Sequence, residues 1–240
     1  MQCVVSKFVP RLLSVNQKQQ QLYVCLDLKE NAANDPCFLS NVITGDETWV
    51  YAYDPETKTQ SSQWKSLGSP QPKKARQVRS KSMWIYFFDQ KGIVHKEFVP
   101  PGQTVNAAFY VEVLKRLWEN VRRKRPDQWQ NNKWLLHHDN VPAHAPSWLD
   151  GFWPITTWLW CHILSTRPTL HPATFSLFPK LKMKLKGWRF QTLEEIQTEL
   201  QAVLDTLWEN DFQECLKNWQ CRWHRCQASE GDYFEGDASP

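Results

Sequence analysis

The chain contains 240 residues, with 29 lysines and arginines against 25 aspartates and glutamates, which gives a net charge of +4. A length of this order suits one large domain or two small ones, and 41% hydrophobic with 22% charged residues excludes a chain that is disordered throughout. The longest strongly apolar runs, such as 83–88, fall far short of the ~18 residues of a membrane-spanning helix, so we expect no membrane partner.

The N-terminal part of the sequence predicts one short helix. Apolar residues recur on one side of 17–30, and the stretch 31–36, which contains a proline, ends the pattern. We therefore divide the chain into a linker-like N-terminal segment with this helix, 1–40, and a main domain, 41–240.

The main domain begins with three predicted strands. Residues 41–53 are rich in β-branched and aromatic side chains, which favour a strand. Two further strand-like runs, 83–88 and 93–99, flank a turn at 89–92 and predict a hairpin. The polar and basic stretch 56–80, which precedes the hairpin, is predicted to be a long loop.

A helix and a fourth strand follow the hairpin. Thr104 or Asn106 can cap a helix that runs to about Arg123, because its apolar residues recur at helical spacing. The apolar run 133–138 predicts a short strand that ends directly before Asp139.

Two more helices are predicted towards the C-terminus. A capping box at 192–195 opens the first, and the second begins at Asp211. The stretch between 139 and 191 has no clear pattern. Strands, a hairpin and helices in this order are typical of a mixed α/β domain.

Three basic clusters stand out in the charge distribution. The first, 65–81, has six bases and no acid; the second, 115–125, has six bases and one acid; the third, 180–189, has five bases and no acid. Such clusters can follow the phosphates of a nucleic acid, although each is also compatible with an ordinary solvated face. The residues that we predict to contact DNA are Lys73, Lys74, Arg76, Arg79, Arg122, Arg123, Lys124, Arg125, Lys180, Lys182, Lys184 and Lys186.

Two features bear on the cellular compartment. The basic tracts 72–76 and 122–125 have the composition of nuclear-import signals. Seven cysteines without a C-x-x-C pair indicate free thiols in a reducing compartment. We expect a nuclear protein, or otherwise a cytoplasmic one.

Two aspartates occupy positions where metal chemistry is feasible. Asp46 lies within the first predicted strand, and Asp139 ends the fourth. Carboxylates on adjacent strands can hold Mg²⁺, and two such ions support in-line phosphoryl transfer. This pattern alone is weak, because an aspartate at a strand end is often a turn or cap residue.

Several sequence blocks resemble those of the mariner transposases. Residues 44–58 resemble the block that carries the first catalytic acid of the family, and 137–144 resemble the block of the second. The resemblance covers nearly the whole chain and extends to host proteins that carry a mariner transposase half. Further similar blocks are 8–13, 98–106, 177–187 and 233–237.

This resemblance implies a ribonuclease-H-like fold, in which helices flank a mixed sheet and three acids converge on two divalent ions. It implies that Asp46 and Asp139 are catalytic residues and metal ligands, with Mg²⁺ or Mn²⁺ as the cofactor. The family cleaves DNA at transposon ends and joins the strands to a target. Its members are dimeric, which permits a homodimer here, through the linker-like segment.

The third acid of the family is missing from this sequence. In the family, 34 residues separate the second acid from the third, an aspartate, and here that spacing from Asp139 falls on Thr174. A neutral hydroxyl supplies no charge to offset the dehydration of Mg²⁺, so we expect a severe loss of catalysis. Glu47 and Asp150 are weak substitutes, since strand alternation turns Glu47 away from Asp46.

Two further departures limit what the resemblance implies. The sequence begins at the family's linker, without the helix-turn-helix modules that read transposon ends, so we expect sequence-tolerant DNA binding. Residues 150–174 bear little resemblance to the family, although 158–163 can still form a buried strand.

We predict a mariner transposase-derived protein that is catalytically defective and binds DNA mostly without specificity. One alternative is a residual divalent-metal nuclease that relies on Asp46 and Asp139. The others are a non-catalytic, dimerising interaction module and a non-functional transposon remnant.

Overall fold

The computed structural model describes residues 9, 12–66, 68–70, 72–73, 75–78, 80–138, 158–160 and 170–234. The helices are α1 Val15–Asn34, α2 Phe38–Asn41, α3 Ala107–Lys124, α4 Pro126–Gln130, α5 Phe178–Leu185, α6 Leu193–Asp205 and α7 Glu209–Ala228. The strands are β1 Val42–Tyr51, β2 Lys81–Asp89, β3 Gly92–Val99, β4 Leu135–His138 and β5 Trp158–Trp160. Within these residues, no helix is long and apolar enough to cross a membrane.

The five strands form one mixed sheet in the order β3-β2-β1-β4-β5. Strand β2 runs antiparallel to both of its neighbours, β1 and β3, whereas β4 runs parallel to β1 and β5 runs parallel to β4. The predicted strands and hairpin are therefore confirmed, and so is the mixed sheet flanked by helices. Strand β1 lies at the centre and joins the antiparallel half to the parallel half.

Helices cover both faces of the sheet. Ile85 and Phe87 of β2 pack with α3 on one face, in a cluster that continues through Val113 and Leu117. Alternate residues of β2, such as Tyr86, face a second cluster built by α5, α6 and α7. Because both faces are covered, β2 is almost continuously apolar rather than alternating in polarity.

Helix α1 is longer than the short helix predicted from the sequence. Ser14 and Gln17 form a reciprocal capping box that starts the helix at Val15. The helix also packs against α7, where Val24 and Leu28 share a buried cluster with Trp219, Trp223 and Val42. This packing extends the helix past residue 30, to Asn34. The division of the chain at residue 40 stays a prediction.

The predicted helix caps are present. Asn106 caps α3, because its side chain accepts a hydrogen bond of 2.9 Å from the backbone N–H of Phe109. Thr192 caps α6 and accepts from the backbone N–H of Glu195 at 3.2 Å. Each side chain satisfies one of the unpaired N–H groups at the start of its helix.

The described part of the stretch 139–191, which shows no sequence pattern, contains a strand of the sheet, a π-helical turn and a helix. Strand β5 covers 158–160, within the range predicted to form a strand. A π-helical turn, Ala173–Leu177, then leads directly into α5. Phe178, Leu181 and Leu185 lie one turn apart in the α5 segment and are all buried.

Arg125 holds the end of α3 to the sheet. Its guanidinium donates two hydrogen bonds to the carboxylate of Asp89, of 2.5 and 2.9 Å, and the Asp89 side chain is fully buried. Lys124 donates to the backbone carbonyls of Ile93 and Val94. Both residues were predicted to contact DNA. In the structure their charged groups make these internal contacts, and their contact with DNA stays a prediction.

We expect Arg125→Ala to lower the free energy of unfolding by about 3–5 kcal/mol, because it leaves the buried Asp89 carboxylate unpaired. The control is Arg122→Ala. Arg122 forms a solvent-exposed ion pair with Glu119, and ion pairs of this kind contribute about 0–1 kcal/mol to stability. Chemical denaturation of the two variants checks this prediction, and equal losses would contradict it.

Candidate functional site

Asp46 points from the central strand towards the helices α5 and α7. Its partner across the strand pair is Tyr86, which belongs to the cluster on that face. The next residue, Glu47, is paired with Ile85, which packs against α3 on the opposite face. Strand alternation therefore separates the two acids, as predicted from the sequence.

Three groups surround the Asp46 carboxylate. The hydroxyl of Thr174 donates a hydrogen bond of 2.6 Å to Oδ2, and the backbone N–H of Glu47 donates one of 2.8 Å to Oδ1. Nδ1 of His171 lies 3.6 Å from Oδ2. Both carboxylate oxygens are thus held by donors, and an imidazole stands beside one of them.

The π-helical turn places Thr174 and His171 at this position. Its first residue, Ala173, is completely buried, and Leu177 at its end is nearly so. The backbone N–H groups of Thr174 and Phe175 both donate to the carbonyl of His171, which closes the turn. Single π-turns are frequent at functional sites because the wider turn redirects side chains.

His171 stacks on His137 of β4. The ring centroids are 4.9 Å apart, with an interplanar angle of 21°. The ring of His137 also contacts Trp219 of α7, at a centroid distance of 4.6 Å. Nδ1 of His137 shares a hydrogen bond of 2.8 Å with the hydroxyl of Thr44. Burial, followed by the neighbouring His171 and His138, holds the pKa of His137 well below its usual range.

The structure brings together only part of the predicted catalytic set. Asp46 and Thr174 are in contact, so the spacing argument placed the third-acid position next to the first acid. Asp139 and Asp150 lie outside the described residues. The roles of Asp46 and Asp139 as catalytic residues and metal ligands therefore stay predictions.

The described residues give Asp46 a hydroxyl and an imidazole as side-chain neighbours, and they do not include Asp139. Mg²⁺ prefers oxygen ligands, usually one or two carboxylates together with water. Here Asp46 is flanked by a neutral hydroxyl and an imidazole. Among the residues described, no group of three or more His, Cys, Asp or Glu side chains is arranged to hold a metal ion.

The basic cluster on α5 lies on the same face of the sheet as Asp46. Lys182 is half-buried, and this burial lowers its pKa, while Asp54 and Asp46 act in the opposite direction. Lys180 pairs with Asp211 at 2.8 Å. The remaining lysines of the cluster predicted to bind DNA are the exposed Lys184 and the half-buried Lys186.

The cluster at the end of α3 lies on the opposite face from Asp46. Besides the internal contacts of Lys124 and Arg125, the cluster includes Arg122, which pairs with Glu119 at 2.7 Å. Arg123 donates a hydrogen bond to the side chain of Asn120. The described parts of the α3 and α5 clusters therefore lie on opposite faces of the sheet, and DNA contact by either cluster stays a prediction.

The long basic loop starts and ends beside β1. The backbone N–H of Ala52 donates to the carbonyl of Ser80, and that of Val78 donates to the carbonyl of Tyr53. Lys73 and Arg76 of the loop are exposed. Lys74 and Arg79 were also predicted to contact DNA and lie outside the described residues.

His171 is a site residue that the sequence did not single out. It lies in 150–174, where the resemblance to the mariner family lapses, and no spacing rule connects it to Asp46. The contact depends on the π-helical turn, which no local pattern indicated. A tertiary arrangement of this kind is visible only once the sheet and α5 are placed.

The mixed sheet flanked by helices is a ribonuclease-H-like fold, which the catalytic domain of Mos1 mariner transposase shares. A family model described as "Transposase (partial DDE domain)" matches residues 54–131. The catalytic domain of Mos1 mariner transposase superposes with a TM-score of 0.77 at 26% identity, covering 95% of this chain and 100% of that one. A pre-cleavage Mos1 transpososome gives a TM-score of 0.87 at 27% identity, covering 98% of this chain and 68% of that chain.

Two curated proteins show the same relationship in sequence. Mariner Mos1 transposase of Drosophila mauritiana is 27% identical over 234 residues, covering 96% of this chain and 67% of that protein. Histone-lysine N-methyltransferase SETMAR of Homo sapiens is 25% identical over 241 residues, covering 96% of this chain and 34% of SETMAR. The chain is therefore similar to mariner transposases over nearly its whole length, and this similarity extends over the whole catalytic domain of Mos1.

We expect Thr174→Val to lower the free energy of unfolding by about 1–3 kcal/mol, because it removes a charge-assisted hydrogen bond to Asp46 without a large change in shape. The control is Thr198→Val, since the hydroxyl of Thr198 is exposed and bonds only within its own helix. Denaturant titration of both variants measures the difference. An unchanged free energy of unfolding in Thr174→Val would contradict the prediction, because the hydrogen bond to Asp46 would then contribute nothing to stability.

Proposed function

We propose that this chain is a mariner transposase-derived protein that binds DNA mainly through phosphate contacts and has lost strand cleavage. The relationship to mariner transposases is the starting point. The loss of cleavage and the mode of DNA binding are inferences about this chain, and each is argued from its described residues.

The contact between Thr174 and Asp46 carries the proposed loss of cleavage. The family resemblance implies a carboxylate at this position, and the hydroxyl of Thr174 instead donates its proton to Asp46. A hydroxyl that donates to the first acid adds no negative charge beside a divalent ion. Two-metal cleavage needs ions that stabilise both the attacking and the leaving oxygen, so a site with one fewer acid is disabled.

The position of the α5 cluster supports the proposed DNA binding. Lys184 and Lys186 follow the turn that carries Thr174 and lie on the Asp46 face, and the exposed Lys73 and Arg76 belong to the loop that departs beside β1. Mos1 has been crystallised as a paired-end complex with a transposon end, in forms with Mn and with Mg. By analogy, we infer that a duplex lies along α5 and the loop, with its phosphates near these bases.

The loss of cleavage is tested by nicking of a labelled duplex in Mn²⁺. We expect the natural chain to be inert and Thr174→Asp to cut the duplex at a rate higher by a factor on the order of 100 or more. The reason is that removing even a residue that only orients a metal ligand lowers metal affinity or activity about 10–100-fold. The control is Thr198→Asp, which adds the same charge on an exposed helix and should stay inert. Cutting by the natural chain that disappears in Asp46→Ala would overturn the proposal, and inert Thr174→Asp would show that Thr174 is not the defect.

The DNA-binding face is tested by the salt dependence of affinity for a random-sequence duplex. We expect Lys184→Gln combined with Lys186→Gln to reduce the slope of log affinity against log salt by roughly two, since each phosphate contact contributes about one. The matched control combines Arg122→Gln with Arg123→Gln on the opposite face and should change the slope less. A larger change in the control would place the duplex on the α3 face instead.

A further inference from the structure

A chain of hydrogen-bonded side chains joins β3 to the outer surface of α3. His95 of β3 lies between two of its members: its Nε2 is 3.2 Å from Oε2 of Glu97, and its Nδ1 is 2.8 Å from Nδ2 of Asn120. Arg123 donates a hydrogen bond of 2.8 Å to Oδ1 of Asn120. Arg116 donates two hydrogen bonds, of 2.7 and 2.8 Å, to the carboxylate of Glu97. The side chain of His95 is only 9% exposed, so the protein and not water determines its partners.

These contacts fix the protonation state of His95. Because Oδ1 of Asn120 accepts from Arg123, the amide of Asn120 turns its NH₂ group towards His95. An NH₂ group only donates, so Nδ1 of His95 is the acceptor and carries no proton. Nε2 then carries the ring proton and donates it to the carboxylate of Glu97. The imidazole is therefore neutral in this arrangement.

We propose that His95 is a pH-sensitive switch that controls whether Arg123 is held on Asn120 or released to solvent. A proton on Nδ1 of His95 would face the NH₂ group of Asn120, and two donors cannot form a hydrogen bond. The amide of Asn120 must then rotate so that its Oδ1 accepts from Nδ1. The same rotation turns the NH₂ group towards Arg123, which is also only a donor, and the guanidinium is released.

The switch goes beyond the proposed function, because it makes the charge available at the end of α3 depend on pH. It does not rest on DNA binding, since every group in it belongs to β3 or α3. The exposed Arg123 is the output of the switch, and the buried His95 is the sensor.

The surrounding groups make the switch operate in mild acid. Burial lowers the pKa of His95; the hydrogen bond and charge of Glu97 act in the opposite direction, and the charges of Arg116 and Lys124 on α3 act with burial. The ring of Phe87 on β2 stacks with the imidazole at a centroid distance of 6.2 Å and adds no charge. The carboxylate of Glu97 is already paired with Arg116, so it is not free to stabilise a proton on His95. His95 is therefore neutral near pH 7 and charged only below the ordinary histidine pKa of about 6.5.

The sign of the effect on stability follows from this pKa. The pKa of His95 is lower in the folded chain than in the unfolded chain, so the unfolded chain binds the proton more readily. The contribution of the neutral His95 to stability is thus complete above about pH 6.5 and is lost as the pH falls through its folded pKa. Acid weakens the attachment of α3 to β3 at this point.

The test is an NMR titration of the full natural chain, without DNA, from about pH 8 to about pH 5. We expect the ring of His95 to titrate below about pH 6.5, and the side-chain signals of Asn120 and Arg123 to change with the same midpoint. In His95→Gln, the signals of Asn120 and Arg123 should no longer depend on pH over this range. The matched control is His224→Gln, because His224 is an exposed histidine on α7, and it should leave the midpoint unchanged.

A second variant reverses the sign of the effect. Asn120→Asp replaces the NH₂ group by a carboxylate oxygen, which accepts a hydrogen bond from the protonated Nδ1 and still accepts from Arg123. We therefore expect Asn120→Asp to raise the pKa of His95 above about 6.5, since a carboxylate at this distance favours the charged form. Because Asn120 is only half-buried, this variant tests the proposal even if His95→Gln fails to fold.

Three outcomes would overturn the proposal. They are titration of His95 without any change at Asn120 and Arg123, a pH-dependent change at Arg123 that persists in His95→Gln, and a pKa of His95 that stays low in Asn120→Asp. Because DNA is absent throughout, failure here leaves the proposed DNA binding intact.

Discussion

The central strand β1 determines where the other parts of the molecule lie. It pairs antiparallel with β2 and parallel with β4, and helices cover the sheet on both sides. With both faces covered, each residue of β1 is assigned to one helical layer by strand alternation alone. Gly45 must pack against the ring of Phe87, where a Cβ atom would approach to 2.1 Å, and Asp46 must therefore face the layer of α5 and α7. A slip of one residue would exchange these faces and destroy the site.

The same layer contains the residues that distinguish this chain from what the mariner resemblance implies. The π-helical turn brings Thr174 and His171 to Asp46, so the carboxylate meets a hydroxyl and an imidazole. A ribonuclease-H-like fold is thus combined with a hydroxyl and an imidazole beside Asp46. The stability of the sheet does not depend on metal binding, because burial of Tyr86 and Trp84 stabilises the sheet whether or not a pair of ions can bind.

Much of the fold was predictable because its patterns are local. Alternation in β1, helical spacing in α3 and the Asn106 cap each require only neighbouring residues. Segment α5 was not predictable, since lysines and apolar residues alternate over 180–185 with the period of a strand. Burial of Leu181 and Leu185 against α6 and the sheet selects the helix instead. Tertiary contacts overrode the local pattern.

The site shows the same division between local and tertiary information. The spacing from Asp139 predicted that Thr174 occupies the position of the third acid. This prediction needs only the number of intervening residues, and it does not need similarity between those residues and the family. His171 contacts Asp46 of β1, and Arg125 contacts Asp89 of β2, so each contact joins residues that are far apart in the chain. Arg125 also shows why a basic cluster is a weak predictor of a DNA-binding surface. Its charge looks available in the sequence and is neutralised by a buried acid in the fold.

The central claim is the proposal that Thr174, which donates a hydrogen bond to Asp46 where the family resemblance implies a third acid, prevents a pair of divalent ions from binding beside Asp46. The most direct measurement is anomalous diffraction from crystals of the natural chain and of Thr174→Asp, each equilibrated with Mn²⁺ and recorded on both sides of the manganese absorption edge. The account predicts two manganese peaks beside Asp46 in Thr174→Asp and no such pair in the natural chain. Two manganese peaks beside Asp46 in the natural chain would contradict it.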